Sequence, residues 1–146
     1  MRIGIKRSDG GLSVMTLLDG FALEDVPREI TKWEHVVPWT AIRWQEIDEA
    51  AVPPRLFRNA YELGEKVPEI NMVKARDIHR DAMRVTRAPL LENLDIEFQR
   101  AYKDPAEQDR IETEKQTLRD VTDDPAINIA KTPEELKAIW PEVLKG

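Results

Sequence analysis

The feature that most constrains the fold is a pair of apolar stripes between residues 70 and 122. Before a turn at Asp104-Pro105 the apolar positions recur at steps of three and four, and after the turn a second stripe follows. The first stripe is Ala75, Ile78, Ala82, Val85, Leu91, Leu94, Phe98 and Ala101, and the second is Ile111, Leu118 and Val121. This period is typical of helices that bury one face. The stretch therefore predicts one long helix that folds back onto another.

The start and the middle of the first helix carry local signals. Asn71 is the predicted N-cap, because its side-chain oxygen can accept a hydrogen bond from a free amide of the first turn. Pro89 removes one helical hydrogen bond and costs about 3 kcal/mol in a regular helix interior. The sequence allows two arrangements there: two helices that abut at residue 88, or one kinked helix.

The two predicted helices have opposite charge. Residues 71–87 carry five basic and two acidic side chains, whereas residues 104–124 carry eight acidic and three basic ones. Arg76, Arg80 and Arg84 recur every four residues along one face, which can indicate phosphate contact. The alternative is an acidic antiparallel neighbour, with local pairs of Asp77 with Arg80 and of Asp81 with Arg84. The second interpretation is favoured, because the whole chain has a net charge of −6 and nucleic-acid binders are usually basic.

Composition excludes several classes of protein. The 146 residues suit one domain or two small lobes. There is no cysteine, which removes disulfides, thiolate zinc sites and cysteine nucleophiles. No apolar run reaches about 18 residues and no signal-peptide pattern is present. We therefore expect a soluble chain that binds neither membrane nor nucleic acid.

The N-terminal part predicts a small antiparallel sheet. Residues 2–6 and 12–17 alternate in polarity around a Ser-Asp-Gly-Gly turn, and residues 40–47 alternate again. Residues 28–37 are interpreted as a helix with Ile30, Trp33, Val36 and Val37 on one side.

The expected fold class is therefore α+β. A small antiparallel β lobe, residues 1–66, precedes a helical hairpin, residues 67–146. That second part ends in a short helix capped by Thr132, for which Glu135 completes a capping box.

No catalytic constellation is apparent. His35 and His79 are isolated within charged stretches, and a lone histidine is more often a surface or satisfied residue than a ligand. Glu46, Asp48 and Glu49 lack the spacing of a calcium loop. No phosphate-binding loop, serine elbow or zinc-protease motif occurs. The sequence thus predicts no enzyme, no metal and no cofactor.

Three of the four tryptophans, Trp33, Trp39 and Trp44, lie within twelve residues. Rigid aromatic side chains of this kind often anchor interfaces. Alternatively, they fill the core of a small sheet that has few other large residues. They are the candidate partner-binding residues.

Three segments of the second half resemble proteins from the tail-fibre region of tailed bacteriophages. They are residues 114–122 (EKQTLRDVT), 87–95 (RAPLLENLD) and 132–141 (TPEELKAIWP). The resemblance spans residues 56–141, is weak over the N-terminal lobe, and carries over no functional residue.

The resemblance implies a non-enzymatic protein that binds a tail-fibre or baseplate protein, as an assembly chaperone or as a virion accessory subunit. It would act in the host cytoplasm during assembly, and its retention in the virion tail and its oligomeric state stay open. The alternative outside this class is a small intracellular regulator or inhibitor that binds a host protein.

Overall fold

The computed structural model describes residues 1–145. Its fold is α+β, as predicted, with a small antiparallel sheet first and long helices after it. Residue contacts divide the chain into two compact units after Ala75, within a helix. The sequence alone places this boundary near residue 66.

A three-stranded antiparallel sheet forms the centre of the first unit. Strands β1 (Arg2–Arg7) and β2 (Leu12–Thr16) make the expected hairpin, and β3 (Ala41–Ile47) pairs with the other side of β1. The strand order is therefore β2-β1-β3. Gly10 closes the hairpin with a φ of +82°, a conformation that costs little only without a Cβ.

Each face of the sheet carries its own apolar cluster, because side chains alternate between faces along a strand. The first cluster, which includes helix α1 (Val26–Thr31), consists of Ile3, Ile5, Leu17, Val26 and Ile30. The second, on the opposite face, consists of Leu12, Ile47 and Leu63.

A small hairpin of β4 (Tyr61–Leu63) and β5 (Pro68–Ile70) supplies Leu63 to the second cluster. A Cβ added to Gly4 would lie 2.9 Å from Leu63 Cδ1 and 3.1 Å from Ile47 Cγ2. The bare backbone at Gly4 therefore makes room for these two side chains.

Helix α1 is shorter than predicted and starts earlier. It ends at Thr31, and the chain then continues in turns rather than as a helix to residue 37. The Trp33 N–H donates to the Ile30 carbonyl at 2.9 Å, and the Val36 N–H donates to the Trp33 carbonyl at 2.9 Å. The proline at position 38 disfavours a helical conformation at the preceding residue, which opposes a longer helix. Single 3-10 turns of the first unit lie at Leu23–Asp25, Glu49–Ala51 and Arg58–Ala60.

Helix α2 (Met72–Arg100) is the longest element. Asn71 caps it as predicted, because its Oδ1 accepts the N–H groups of Val73 at 3.1 Å and Lys74 at 3.2 Å. The second unit begins one turn further along this helix.

Pro89 lies inside α2, so of the two arrangements the sequence allows, the chain has a single helix. The carbonyl that loses its helical partner is that of Val85. Val85 is 74% exposed and Pro89 is exposed as well, so this interruption is on the side of the helix that water reaches.

Helix α3 (Pro105–Asp120) follows a short turn. Asp104 caps it by accepting the N–H of Glu107 at 3.1 Å. Ile111 and Leu118 are buried, as the second stripe predicts.

The buried positions of α2 differ from the predicted first stripe. Ala75, His79 and Met83 are buried at a spacing of four, whereas Val85 is on the exposed side. Leu94 and the rest of the distal stripe are only half-buried. An apolar pattern could not identify His79 as a core residue, because its burial depends on a polar contact.

Short helices complete the second unit. A 3-10 turn (Val121–Asp123), α4 (Pro125–Ile129), α5 (Pro133–Ala138) and a last 3-10 turn (Glu142–Leu144) follow α3. Thr132 caps α5 by accepting the Glu135 N–H at 3.2 Å. Glu135 accepts the N–H of Lys131 at 2.7 Å, one residue before the position that a capping box requires.

Candidate functional site

The end of α1 places Trp33 at the surface. The helix stops two residues earlier, and the turn bond to Ile30 fixes the main chain of Trp33 beside the first cluster. Its side chain is 58% exposed. Exposure of so large an apolar side chain is a common property of binding surfaces.

Trp39 is half-buried and packs against the first cluster. The guanidinium carbon of Arg7 lies 5.5 Å from the centre of its ring, a cation–π distance. Arg7 is itself held by Asp9, whose Oδ2 lies 2.7 Å from Nη2. Trp39 therefore has contacts on two sides, with the first cluster and with Arg7.

Trp33 and Trp39 both line an apolar groove of about 360 Å³, which we call the Trp33 groove. Its other apolar side chains include Ile5, Met15, Ile30 and Val37. Among the described residues that line it, Glu34 is the one with a charged side chain. A smaller pocket of about 140 Å³ shares Met15, Thr16 and Trp33 with it and extends towards Leu18 and Phe21.

Trp44 lies outside this groove. It is on β3 opposite Ile5 of β1, and it is 37% exposed. The structure therefore brings two of the three candidate tryptophans, Trp33 and Trp39, together in the lining of one groove.

The groove also contains residues that the sequence did not single out. Met15 and Ser13 of β2 line it, and so do Val14 and Thr16, whose side chains belong to the other face of the sheet. The alternation of β2 predicts a half-buried strand, but no sequence signal shows that one edge of it borders a groove.

Two arginines of the predicted stripe, Arg76 and Arg80, contact main-chain carbonyls, and so does Arg87. Arg76 Nη2 donates to the Ala130 carbonyl at 2.9 Å, Arg80 Nε donates to the Thr122 carbonyl at 3.2 Å, and Arg87 Nη1 donates to the Arg119 carbonyl at 2.6 Å. Positive charge at the end of a helix is favourable, because the last carbonyls are unpaired.

The predicted local pairs are present: Arg84 Nη1 lies 2.6 Å from Asp81, and Arg80 Nη1 lies 3.7 Å from Asp77. The prediction that acidic residues of α3 pair with the arginines of α2 is wrong. In the ion pairs between these helices α3 supplies the base and α2 the acid: Lys115 of α3, for example, lies 2.8 Å from Asp95 of α2. The reason is length: α3 turns back only as far as Arg87, so Arg76 and Arg80 meet the segments that follow α3.

His79 is 3% exposed and its Nε2 lies 2.8 Å from the Ile139 carbonyl. The ring meets Trp140 edge to face, with ring centres 5.8 Å apart. His79 is thus a satisfied core residue, whereas His35 is exposed.

The shifted pKa values come from ion pairs at the surface. The guanidinium of Arg2 donates to Glu49 and lowers the pKa of that carboxyl, and Lys74 and then Asn71 lower the pKa of Glu62 by hydrogen bonding. Asp48, the neighbour of Glu49, caps a 3-10 turn by accepting the Ala50 N–H at 2.7 Å. Two of the three clustered acidic residues, Asp48 and Glu49, therefore have structural contacts.

Within residues 1–145, no group of three histidine, cysteine or acidic side chains is arranged to hold a metal ion. None of the helices in this part of the chain combines the length and apolar content that crossing a bilayer requires. No protein-family model matches the chain, and no curated protein or solved structure is significantly similar to it.

Proposed function

We propose that the protein is a non-catalytic phage tail protein that binds a tail-fibre or baseplate protein through the Trp33 groove. The observation that carries this proposal is the groove itself. The indole of Trp33 is mostly exposed to water and lies beside the apolar side chains that line the groove. A partner that covers Trp33 removes that apolar surface from water, which is the main source of binding free energy at such sites.

The class of partner rests on the resemblance of residues 56–141 to tail-fibre-region proteins. A fibre that has not yet trimerised exposes strand edges and apolar surface, which must be covered to prevent aggregation. An assembly chaperone would cover these surfaces temporarily, and an accessory subunit would remain in the virion.

The test is a pull-down after co-expression with the tail-fibre and baseplate proteins of the same phage. Trp33→Ala is expected to weaken binding on the order of 30-fold or more, as for a hot-spot tryptophan. Trp44→Ala is the matched control, because Trp44 is an exposed tryptophan of the same unit that does not line the groove. The affinity of Trp44→Ala for the partner should stay within about threefold of the affinity of the unmodified chain.

Two results would contradict parts of the proposal. If Trp44→Ala weakens binding and Trp33→Ala does not, the groove is the wrong surface. If the fibre is soluble, trimeric and infective without this chain, and neither fibre nor baseplate protein binds it, the tail function is wrong. If the chain does bind, its copy number in purified virions distinguishes the two roles: an accessory subunit is present at a fixed number, and a chaperone is absent or scarce.

A further inference from the structure

The hydrogen bonds at both ends of β2 fix the direction of its main-chain groups. At one end the Leu17 N–H donates to the Met1 carbonyl at 3.0 Å, and at the other the Arg7 N–H donates to the Gly11 carbonyl at 3.0 Å. In an antiparallel ladder, every second residue of a strand bonds to the same neighbour. The odd-numbered residues of β2 therefore point their main-chain groups at β1.

The even-numbered residues Val14 and Thr16 consequently point theirs away from β1. β2 is an edge strand, and among residues 1–145 no backbone hydrogen bond reaches the N–H or C=O of either residue. Such a row of unpaired groups is a template for another strand.

This free edge faces the Trp33 groove. The groove is lined by consecutive residues of β2, 13–16, although their side chains alternate between the two faces. The Val14 side chain packs against the second cluster, so Val14 contributes mainly its main chain to the groove. The smaller pocket continues along the same edge to Leu18.

We propose that the partner inserts an extended segment into the Trp33 groove, where it pairs with β2 as a fourth strand. Outward N–H and C=O groups bind an extended backbone, whereas a helix has already paired its own. Alternate side chains of the added strand would then contact Trp33 and Trp39. This inference rests on the proposed function and specifies what the partner contributes.

The other edge of the sheet is less suitable. The register of β3 shifts opposite Lys6 and Arg7, and a bulge of this kind interrupts pairing. Trp44 lines neither the Trp33 groove nor the smaller pocket beside it.

The acidic residues around the groove indicate which charge the inserted segment of the partner carries beside its apolar part. Glu34 lines the groove and has no ion-pair partner among residues 1–145, whereas Glu29 of the smaller pocket is already paired with Lys32 at 2.7 Å. We therefore expect an apolar strand with a lysine or arginine beside it. A second copy of this chain could pair with β2 only by bringing its whole sheet past Trp33 and Val37. A single extended segment does not meet this steric obstacle.

The test uses peptides rather than the unidentified partner. Random ten-residue peptides displayed on yeast are selected for binding to the full chain, after removal of those that also bind the Trp33→Ala chain. The best peptide is synthesised with N-methyl groups at every second residue, in each of the two phases. One phase should weaken binding at least tenfold and the other should have little effect, because only one side of an added strand faces β2.

Amide exchange measured by NMR locates the contact. Val14 and Thr16 amides should exchange quickly in the free chain and at least tenfold more slowly with the peptide bound. The amides of Trp44 and Glu46 on β3 serve as the control and should not change.

Equal effects of the two N-methyl phases, unchanged exchange at Val14 and Thr16, or the absence of any groove-dependent peptide would overturn the inference. So would a free chain that sediments as a dimer with these two amides already protected. If the peptide pairs with β2 but the pull-down recovers no fibre or baseplate protein, only the tail function is refuted. A fibre complex that leaves Val14 and Thr16 unprotected refutes strand addition alone.

Discussion

Arg84 and Arg87 are three residues apart on α2 but make different contacts. Arg84 pairs with Asp81 on the same helix, in an exposed position. Arg87 Nη1 donates to the carbonyls of Leu118 and Arg119 at 3.2 and 2.6 Å, at the end of α3. A charge-assisted bond to unpaired carbonyls stabilises a structure more than an exposed ion pair does.

We expect Arg87→Met to lower the free energy of unfolding by about 1–2 kcal/mol, because it leaves the end of α3 without its cation. Arg84→Met is the control and should change it by no more than about 0.5 kcal/mol. Urea unfolding followed by circular dichroism at 222 nm measures both. Equal losses would mean that the contact with α3 contributes nothing specific.

Glu62 should make stability depend on pH. Its Oε1 accepts from Lys74 at 2.7 Å and from Asn71 at 3.2 Å, and these bonds lower its pKa from the ordinary 4.5. A carboxyl with a lowered pKa in the folded state stabilises the fold above the unfolded pKa. That contribution disappears as the pH falls through the folded pKa.

Glu62→Gln should therefore lose less stability than the unmodified chain between pH 6 and pH 3. The urea midpoint can be followed by tryptophan fluorescence, because three of the four tryptophans lie in the same unit as Glu62. Glu65→Gln, which has no ion-pair partner among residues 1–145, should keep the full pH dependence. Identical pH profiles for all three chains would contradict the role of Glu62.

Among the elements, those with local signals were predictable. The hairpin of β1 and β2, the cap at Asn71 and the cap at Thr132 follow from alternation and from side chains that bond to nearby amides. The end of α1 was not predictable in this way, because it depends on how the turns after Thr31 pack against the sheet.

The candidate site was predictable only in part, for a similar reason. The clustering of Trp33 and Trp39 is visible in the sequence, but their groove depends on residues of β2. Which strand lies at the edge, and which of its amides point outward, follows from pairing between residues far apart in the chain. Alternation shows which side chains of a strand share a face, but not which strand lies at the edge of the sheet.

Pro89 and Pro105 form a natural comparison within the two long helices. Pro89 lies in the interior of α2, where it removes a hydrogen bond, whereas Pro105 is the first residue of α3, where proline is favourable. Pro89→Ala should raise the free energy of unfolding by about 1–3 kcal/mol. Pro105→Ala should change it by no more than about 0.5 kcal/mol. A loss of stability in Pro89→Ala would mean that the helix requires the interruption.

At the scale of the molecule, the contacts define two units, and each has its own buried side chains. Those of the second unit include Met83, Ile111, Leu118, Ile127 and Leu136. The arginine bonds of α2 to the segments after it also lie within this unit. Nothing in these contacts requires the sheet.

A fragment of residues 68–146 should therefore fold without the rest of the chain. It keeps Asn71 as a cap, and we expect a helical circular-dichroism spectrum with a cooperative thermal transition. A fragment of residues 90–146 is the control. It lacks Met83 and the arginines that bond to the ends of α3 and α4, so most of its apolar side chains have no partner helix, and it should be largely unfolded. A disordered 68–146 fragment would show that the second unit depends on the sheet for its stability.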